Sequence, residues 1–163
     1  MTDASPTDNL HRIWKAAAGI RTAMLVTRGE TRLSGRPMSA IVRADENAIW
    51  FLTDVPGDLL DDIAAHPQVS VTFCDGGSTH VAFDGSASIH ADRATIEGLW
   101  SQPAQAYYPE GPGDPRVRAV RVRPVHAELW DGPGTIVAMA KMAAALVSKK
   151  SVDGIGEHVE ANI

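Results

Sequence analysis

The sequence predicts a mainly β fold, in which about six strands form a small barrel and short helices lie around it. Segments rich in β-branched and aromatic residues follow one another at short spacing, and turn-forming residues separate them. Helical patterns are few, whereas a parallel α/β sheet would need a helix after almost every strand. An antiparallel barrel with peripheral helices is therefore the predicted architecture.

Composition indicates one soluble domain of ordinary size. The chain has 163 residues, a formal net charge of −5 and a single cysteine, Cys74. The negative charge argues against nonspecific nucleic-acid binding, and one cysteine cannot form an internal disulfide. The polar N-terminus lacks the features of a signal peptide, and the apolar run 135–147 is too short to cross a bilayer. We expect a cytoplasmic protein with neither a membrane nor a nucleic-acid partner.

The first half of the chain predicts one helix and three strands. Apolar residues recur at helical spacing near the N-terminus, and a polar residue precedes them as the N-cap. Two apolar runs then flank a polar turn, which is typical of a hairpin. The elements are a helix with N-cap Thr7 or Asp8 that ends at Gly19, a strand over 21–27, and a hairpin over 35–54 with strands 36–43 and 48–53.

The second half predicts the remaining strands and the other helices. Alternation of apolar and polar residues indicates half-buried strands, and helical stripes mark the segments between and after them. The elements are a helix over 57–65, strands over 69–73 and 80–90 with a bulge or bend at Gly85, a helix over 92–100 with N-cap Asp92, an irregular loop over 102–115, a strand over 116–130 and a helix over 136–147.

By domain organisation, the chain divides into three predicted parts. Residues 1–7 form a disordered N-terminus, residues 8–134 form the barrel domain, and residues 135–163 form a C-terminal helix and tail packed on the barrel.

Two residues of the hairpin are candidates for binding an anion. Arg36 follows Ser34-Gly35, and Thr53 ends the second strand just before Pro56-Gly57 and a helix. The free N–H groups of a helix N-terminus favour an anion at such a point. The ordinary alternatives are a solvated arginine on an edge strand and a threonine that serves as a turn residue or cap.

The remaining candidate residues give weaker indications of function. The six histidines show no pairing at ligand spacing and Cys74 has no second thiol, so no metal site is predicted. No Ser/His/Asp or Cys/His arrangement can be argued from position alone. Trp130 ends the last strand, where an aromatic residue is most often part of the core.

Five segments together resemble the FMN-binding split barrels of the pyridoxamine 5′-phosphate oxidase superfamily, in particular its general-stress-protein branch. They follow the family's order and spacing and cover roughly Leu10 to Gly134. The segments are RPM at 36–38, WFLTD at 50–54, HPQVSVTF at 66–73, HVAFDGSA at 80–87 and RVRPVHAELWD at 121–131. The resemblance implies a six-stranded split β-barrel, FMN as cofactor, and a homodimer whose flavin sites lie at the subunit interface.

The resemblance also implies roles for particular residues. The matching arginine, Arg36, would contact the flavin and its phosphate tail, and the residues that follow it would line the ring through their backbone. Thr53 would bind the phosphate, with Leu52 as a preceding backbone contact. Trp130 would lie against the flavin, commonly that of the second subunit. The implied flavin-binding set is Arg36, Pro37, Met38, Ser39, Leu52, Thr53 and Trp130.

The chain departs from the family pattern at two places. Asp58 and Leu59 stand where the family has the cations that grip the phosphate, so FMN binding is expected to be weak. The Arg-x-His substrate motif of the true oxidase is missing, because the chain has no arginine after Trp130. The sequence therefore predicts an FMN-binding stress-type flavoprotein with oxidoreductase activity as a further implication. Its alternative is a non-catalytic binding or stress-response module in which FMN binding is weakened or lost.

Overall fold

The structure is a computed structural model that describes residues 6–148 and 156–163. Predictions for residues 1–5 and 149–155 lie outside the described residues. The helices are α1 Pro6–Gly19, α2 Asp58–Ala65, α3 Arg93–Leu99, α4 Gln102–Tyr107 and α5 Thr135–Ser148. The strands are β1 Thr22–Arg28, β2 Leu33–Ser39, β3 Ile41–Arg43, β4 Ala48–Asp54, β5 Gln68–Cys74, β6 Thr79–His90, β7 Val117–Asp131 and β8 Glu157–Asn162.

All eight strands belong to one antiparallel sheet, which has the order β2-β1-β5-β6-β7-β4-β3, with β8 paired to β7. The two strands at the ends of this order follow each other in the chain, with Ala40 alone between them. The Ala40 amide donates to the Arg21 carbonyl over 3.0 Å. The sheet must therefore curl until its two edges approach each other, and β2 contacts β4. We call the line where β2 and β3 meet the seam.

The core fills the inside of this curled sheet. Alternate residues of the strands point inward, so that Phe51, Phe73 and Phe83 are fully buried. Helix α1 covers one opening, and its Trp14 ring lies 4.8 Å from the ring of Phe83. Helix α2 adds the buried side chain of Leu59 to the same core. No helix in the two described ranges is long and apolar enough to cross a membrane.

The predicted mainly β split barrel is confirmed, and residues 6–148 and 156–163 form eight strands where six were predicted. The predicted strand 36–43 breaks at Ala40 into β2 and β3, and the C-terminal tail supplies β8. The predicted hairpin is wrong for most of its length. Strand β2 pairs with β1, and the short β3 alone pairs with β4. An alternating pattern identifies a strand but does not identify its partner.

Two smaller predictions also differ. Helix α1 begins at Pro6, so Pro6 and Thr7 are helical, and Thr7 and Asp8 lie within the first turn instead of capping it. Residues 102–107 form α4 inside the predicted loop. By contrast, Asp92 caps α3 as predicted, because its carboxylate accepts from the Thr95 amide over 2.9 Å.

The bulge predicted at Gly85 is also confirmed. Asp84 pairs with His126 and Gly85 with Pro124, so one residue of β7 is left over at this point. The β7 backbone passes so close that a Cβ on Gly85 would overlap the Arg123 carbonyl group. A glycine is therefore required here by contact with backbone, which cannot move aside as a side chain can.

We expect Gly85→Ala to lower the free energy of unfolding by about 1–3 kcal/mol, because the added Cβ forces overpacking against the β7 backbone. The matched control is Gly98→Ala in α3, where nothing lies within 4 Å of the added Cβ. The control should leave stability unchanged or raise it by roughly 0.5–1 kcal/mol, because alanine favours a helix over glycine. Urea denaturation of both variants measures the difference, and equal stabilities would contradict the close approach.

Candidate functional site

A cleft of about 440 Å³ opens at the seam. Its walls come from β2 and β3 on one side and from the segment around α4 on the other. Four residues of the predicted site line it, namely Pro37, Met38, Ser39 and Leu52. The other lining residues are Thr22, Ile41, Ser101, Pro103, Ala104, Tyr107 and Tyr108. None of these described lining residues carries a charge.

The seam leaves backbone groups available to a ligand. Strand β2 pairs with β1, and β3 pairs with β4, so in the described part of the chain each has one free edge. An edge strand presents N–H and C=O groups that the sheet does not use. Pro37 has no N–H to offer, which suits a position where the chain faces a ligand instead of another strand. The cleft thus combines a mostly apolar surface with backbone donors and acceptors.

Helix α4 supplies the aromatic wall that sequence reasoning missed. The Tyr108 hydroxyl donates to the Leu52 carbonyl over 3.2 Å and so ties the end of α4 to β4. Burial, followed by the negative charge of Asp54, raises the pKa of Tyr108, so that its phenol stays a neutral donor. Tyr107 remains 74% exposed at the mouth of the cleft.

A local signal for α4 is present in the sequence. Ser101 caps the helix by accepting from the Ala104 amide, and Pro103 stands in its first turn. Serine at the N-cap followed by proline in the first turn is typical of a helix start. The high proline content of the whole segment masked this signal.

Arg36 is not among the residues that line the cleft, and it pairs with an internal acid. It pairs with the fully buried Leu25 across β1 and β2, so its side chain lies on the face that α2 covers. Its guanidinium donates to the Thr27 hydroxyl over 2.9 Å and reaches the Asp62 carboxylate at 3.4 Å. The Thr27 hydroxyl in turn donates to Asp62 over 2.8 Å. The charge of Arg36 is therefore balanced within the protein.

The expected phosphate position has helix geometry, and Arg118 of β7 pairs with Thr53 across the two strands. Thr53 lies half-buried one residue beyond Leu52, and α2 begins after Gly57, which provides no side-chain cap. Asp58 is exposed at the first position of α2, whereas Leu59 is buried in the core. A cation could replace Asp58 without disturbing packing, but a cation at Leu59 would have to leave the core.

Trp130 does not meet the other predicted residues within one chain. Leu52 pairs with Ala119 of β7, and Trp130 lies eleven residues further along the same strand. At ~3.3 Å per residue this is about 35 Å of strand. Trp130 is 39% exposed, and its ring stacks on that of His158 with centroids 5.1 Å apart. A single chain therefore brings together Pro37, Met38, Ser39 and Leu52 but leaves Trp130 far away.

Comparison with protein families gives one match, and comparison with curated proteins gives no significant match. The matching family model is described as pyridoxamine 5′-phosphate oxidase like, and it covers residues 8–153.

Solved structures give further matches. General stress protein 26 from Jannaschia sp. is 28% identical, with 98% of this chain and 100% of that chain covered and a TM-score of 0.76. The general stress FMN/FAD binding protein from Xanthomonas citri is also 28% identical, with 77% and 89% covered and a TM-score of 0.68. General stress protein 26 from Bacillus anthracis is 20% identical, with 74% and 92% covered and a TM-score of 0.66, which supports the fold alone.

The contacts among Arg36, Thr27 and Asp62 can be tested by measuring stability. Asp62→Ala removes the carboxylate that accepts hydrogen bonds from Thr27 and Arg36. The hydroxyl of Thr27, a residue that is only 1% exposed, then loses this acceptor. We expect a loss of about 1–3 kcal/mol in the free energy of unfolding. Asp61→Ala on the exposed side of the same helix is the matched control and should change stability by less than ~0.5 kcal/mol. Equal effects in chemical denaturation would show that the cluster contributes nothing specific.

Proposed function

The chain belongs to the pyridoxamine 5′-phosphate oxidase-like family, and on that basis we propose that it is a flavin-binding protein whose seam cleft holds the isoalloxazine ring. The observation that carries this proposal is the meeting of two free strand edges at an uncharged, aromatic-walled cleft. The Xanthomonas citri relative is described as FMN/FAD binding, which supports the same class of ligand.

The chemistry of the cleft suits a flavin ring. One end of isoalloxazine is an apolar benzenoid ring, which matches the surface offered by Met38, Ile41 and Leu52. The other end is a pyrimidine with both N–H and C=O groups, and an edge strand offers complementary backbone groups. Tyr107 is exposed at the rim, where its ring can stack on a flat ligand. The volume of about 440 Å³ lies within the ordinary range for small-molecule sites.

The phosphate of FMN fits the chain less well. Arg36 already pairs with Asp62, and Asp58 brings a carboxylate to the start of α2. A charge-assisted hydrogen bond from a free cation would contribute about 1.5–3 kcal/mol, and no described residue in the cleft lining provides one. We therefore propose that affinity comes mainly from the ring, and that FMN binds little better than riboflavin.

Oxidoreductase activity is the further part of the proposal. A bound flavin would supply the electron transfer, and the chain would orient the ring and exclude water from one of its faces. Tyr108 would keep the cleft wall in place through its bond to the Leu52 carbonyl.

A second candidate function is a non-catalytic binding module that keeps this cleft. The observation that favours it is the absence of histidine, lysine, arginine and carboxylate side chains from the described cleft lining. General acid–base catalysis would require such a group within hydrogen-bond reach of the reacting atoms. An anaerobic reduction assay of the flavin-loaded protein with NADH or NADPH separates the two candidates.

A homodimer would complete the site. Trp130 lies about 35 Å along β7 from the cleft of its own chain. A second copy arranged about a two-fold axis can place its own Trp130 over that cleft, and the same contact is then made twice. The exposed Trp130–His158 stack is the aromatic surface that would make this contact.

The phosphate argument is tested with two flavins. For the wild-type chain, fluorescence titration should give FMN and riboflavin affinities within about threefold, because the phosphate gains no charge-assisted contact worth ~1.5 kcal/mol or more. Asp58→Lys should tighten FMN by roughly tenfold and leave riboflavin unchanged. Asp61→Lys makes the same charge change at another exposed position of α2 and serves as the matched control.

Two outcomes would contradict this account of the phosphate. Wild-type protein that keeps FMN through gel filtration would show that another cation binds the phosphate. Equal gains for FMN from Asp58→Lys and Asp61→Lys would mean that the start of α2 does not meet it. If neither flavin binds, the proposal of a flavin-binding cleft is wrong.

The dimer is tested by mass and by mutation. Light scattering at micromolar concentration should give twice the 17.4 kDa mass of one chain. Trp130→Ala should weaken riboflavin binding, since the isoalloxazine ring would lose an aromatic contact worth about 0.5–1.5 kcal/mol. Leu33→Ala, at another exposed apolar side chain, is the control and should leave binding unchanged. A stable monomer that binds flavin with full affinity would overturn the composite site.

A further inference from the structure

A group of metal-ligand side chains lies on the outer face of β7 and β8. The pairing of these two strands sets His126 opposite Asn162, Glu128 opposite Glu160 and Trp130 opposite His158. Residues two apart on a strand share a face, so these side chains project from the same side of the sheet. We call the three residues His126, Glu128 and Glu160 the β7–β8 cluster.

The potential ligand atoms of the cluster converge on one point. One nitrogen of His126 and one oxygen of each glutamate all lie within 4.8 Å of one another. The Nε2 atom of His126 is 3.6 Å from Oε1 of Glu128. Ligands at ~2.0–2.2 Å from a tetrahedral Zn²⁺ stand about 3.3–3.6 Å apart. The exposed Glu160 side chain can rotate to bring its oxygen closer to the other two ligand atoms.

The two carboxylates of the cluster, Glu128 and Glu160, would be stabilised by a bound cation. Glu128 and Glu160 face each other directly across two antiparallel strands, which is unfavourable for like charges. A cation between the two carboxylates turns this repulsion into attraction. Imidazole together with carboxylate is a ligand set that zinc accepts readily.

The neighbours of the cluster are arranged as an outer shell of hydrogen bonds. Nδ1 of His126 lies 3.2 Å from the Asn162 side-chain oxygen, so the ring donates there and leaves Nε2 free as a ligand. His158 Nε2 lies 2.8 Å from the other oxygen of Glu128 and holds that carboxylate in place. Such partners fix the orientation of the ligands before the metal arrives.

We propose that His126, Glu128 and Glu160 form a Zn²⁺ site that holds the C-terminal strand β8 against β7, with water as the fourth ligand. The site lies about 23–30 Å along β7 from the cleft, so it does not depend on the proposed flavin. Sequence reasoning could not find it, since its ligands come from strands separated by the whole of α5.

Calorimetric titration of the full chain with ZnCl₂ at neutral pH, after removal of metal with EDTA, tests the site. We expect one saturable Zn²⁺ per chain. His126→Gln and Glu160→Gln should each weaken binding by at least tenfold, and Asn162→Ala should weaken it by about tenfold as a positioning residue. His90→Gln at the far end of the sheet and Glu97→Gln on α3 are matched controls that should bind as the wild type does.

Two results would overturn the proposal. No saturable heat would show that the β7–β8 cluster does not bind zinc. Zinc binding that survives the paired His126→Gln and Glu160→Gln changes would place the metal elsewhere. A second readout uses Glu160→Lys, which supplies a cation covalently. It should abolish zinc binding and raise Tm in EDTA above that of the metal-free wild type, and a lower Tm would contradict the charge argument.

Discussion

The organisation of this protein depends on a single-residue connection between the two edges of its sheet. Ala40 alone separates β2 from β3, although these strands stand at opposite ends of the strand order. Both strands can keep their places in the sheet only if the sheet curls until its two edges meet. That closure creates the seam, leaves one free edge on each of the two strands, and places Pro37, Ser39 and Ile41 around one cleft. The site is therefore a consequence of how the barrel closes.

The distribution of charge supports the proposal that the cleft favours a flavin ring over a phosphate. Arg36, the arginine that the family resemblance assigns to the phosphate, lies on the α2 side of the sheet and is balanced by Asp62. Asp62 also accepts from the buried Thr27 hydroxyl, so the acid has a structural role that competes with any use of Arg36 by a ligand. Separating the pair would leave Asp62, whose side chain is 15% exposed, without its cation. Stability of the barrel and recognition of a phosphate thus make opposite demands on the same arginine.

The sequence predicted what depends on local pattern and missed what depends on pairing. Alternation located the strands, Asp92 identified a helix start, and Gly85 identified a bulge, because each signal lies within a few residues. The pairing of β2 with β1, and of β8 with β7, joins segments whose partners no local pattern specifies. For the same reason no local pattern indicated that Arg36 would pair with Asp62, which lies 26 positions further along the chain.

Strand β7 connects the two regions of chemical interest. Its first half pairs with β4 beside the cleft, and its second half carries β8, the exposed Trp130 and the β7–β8 cluster. Trp130 stacks on His158, and His158 is hydrogen-bonded to Glu128. In the proposed dimer, the indole that covers a neighbour's cleft is thus supported by a carboxylate that the proposed zinc also holds. Fixing β8 then fixes His158, and fixing His158 limits the motion of the Trp130 ring. The order of the C-terminal strand would therefore help to determine how firmly one subunit closes the cleft of the other.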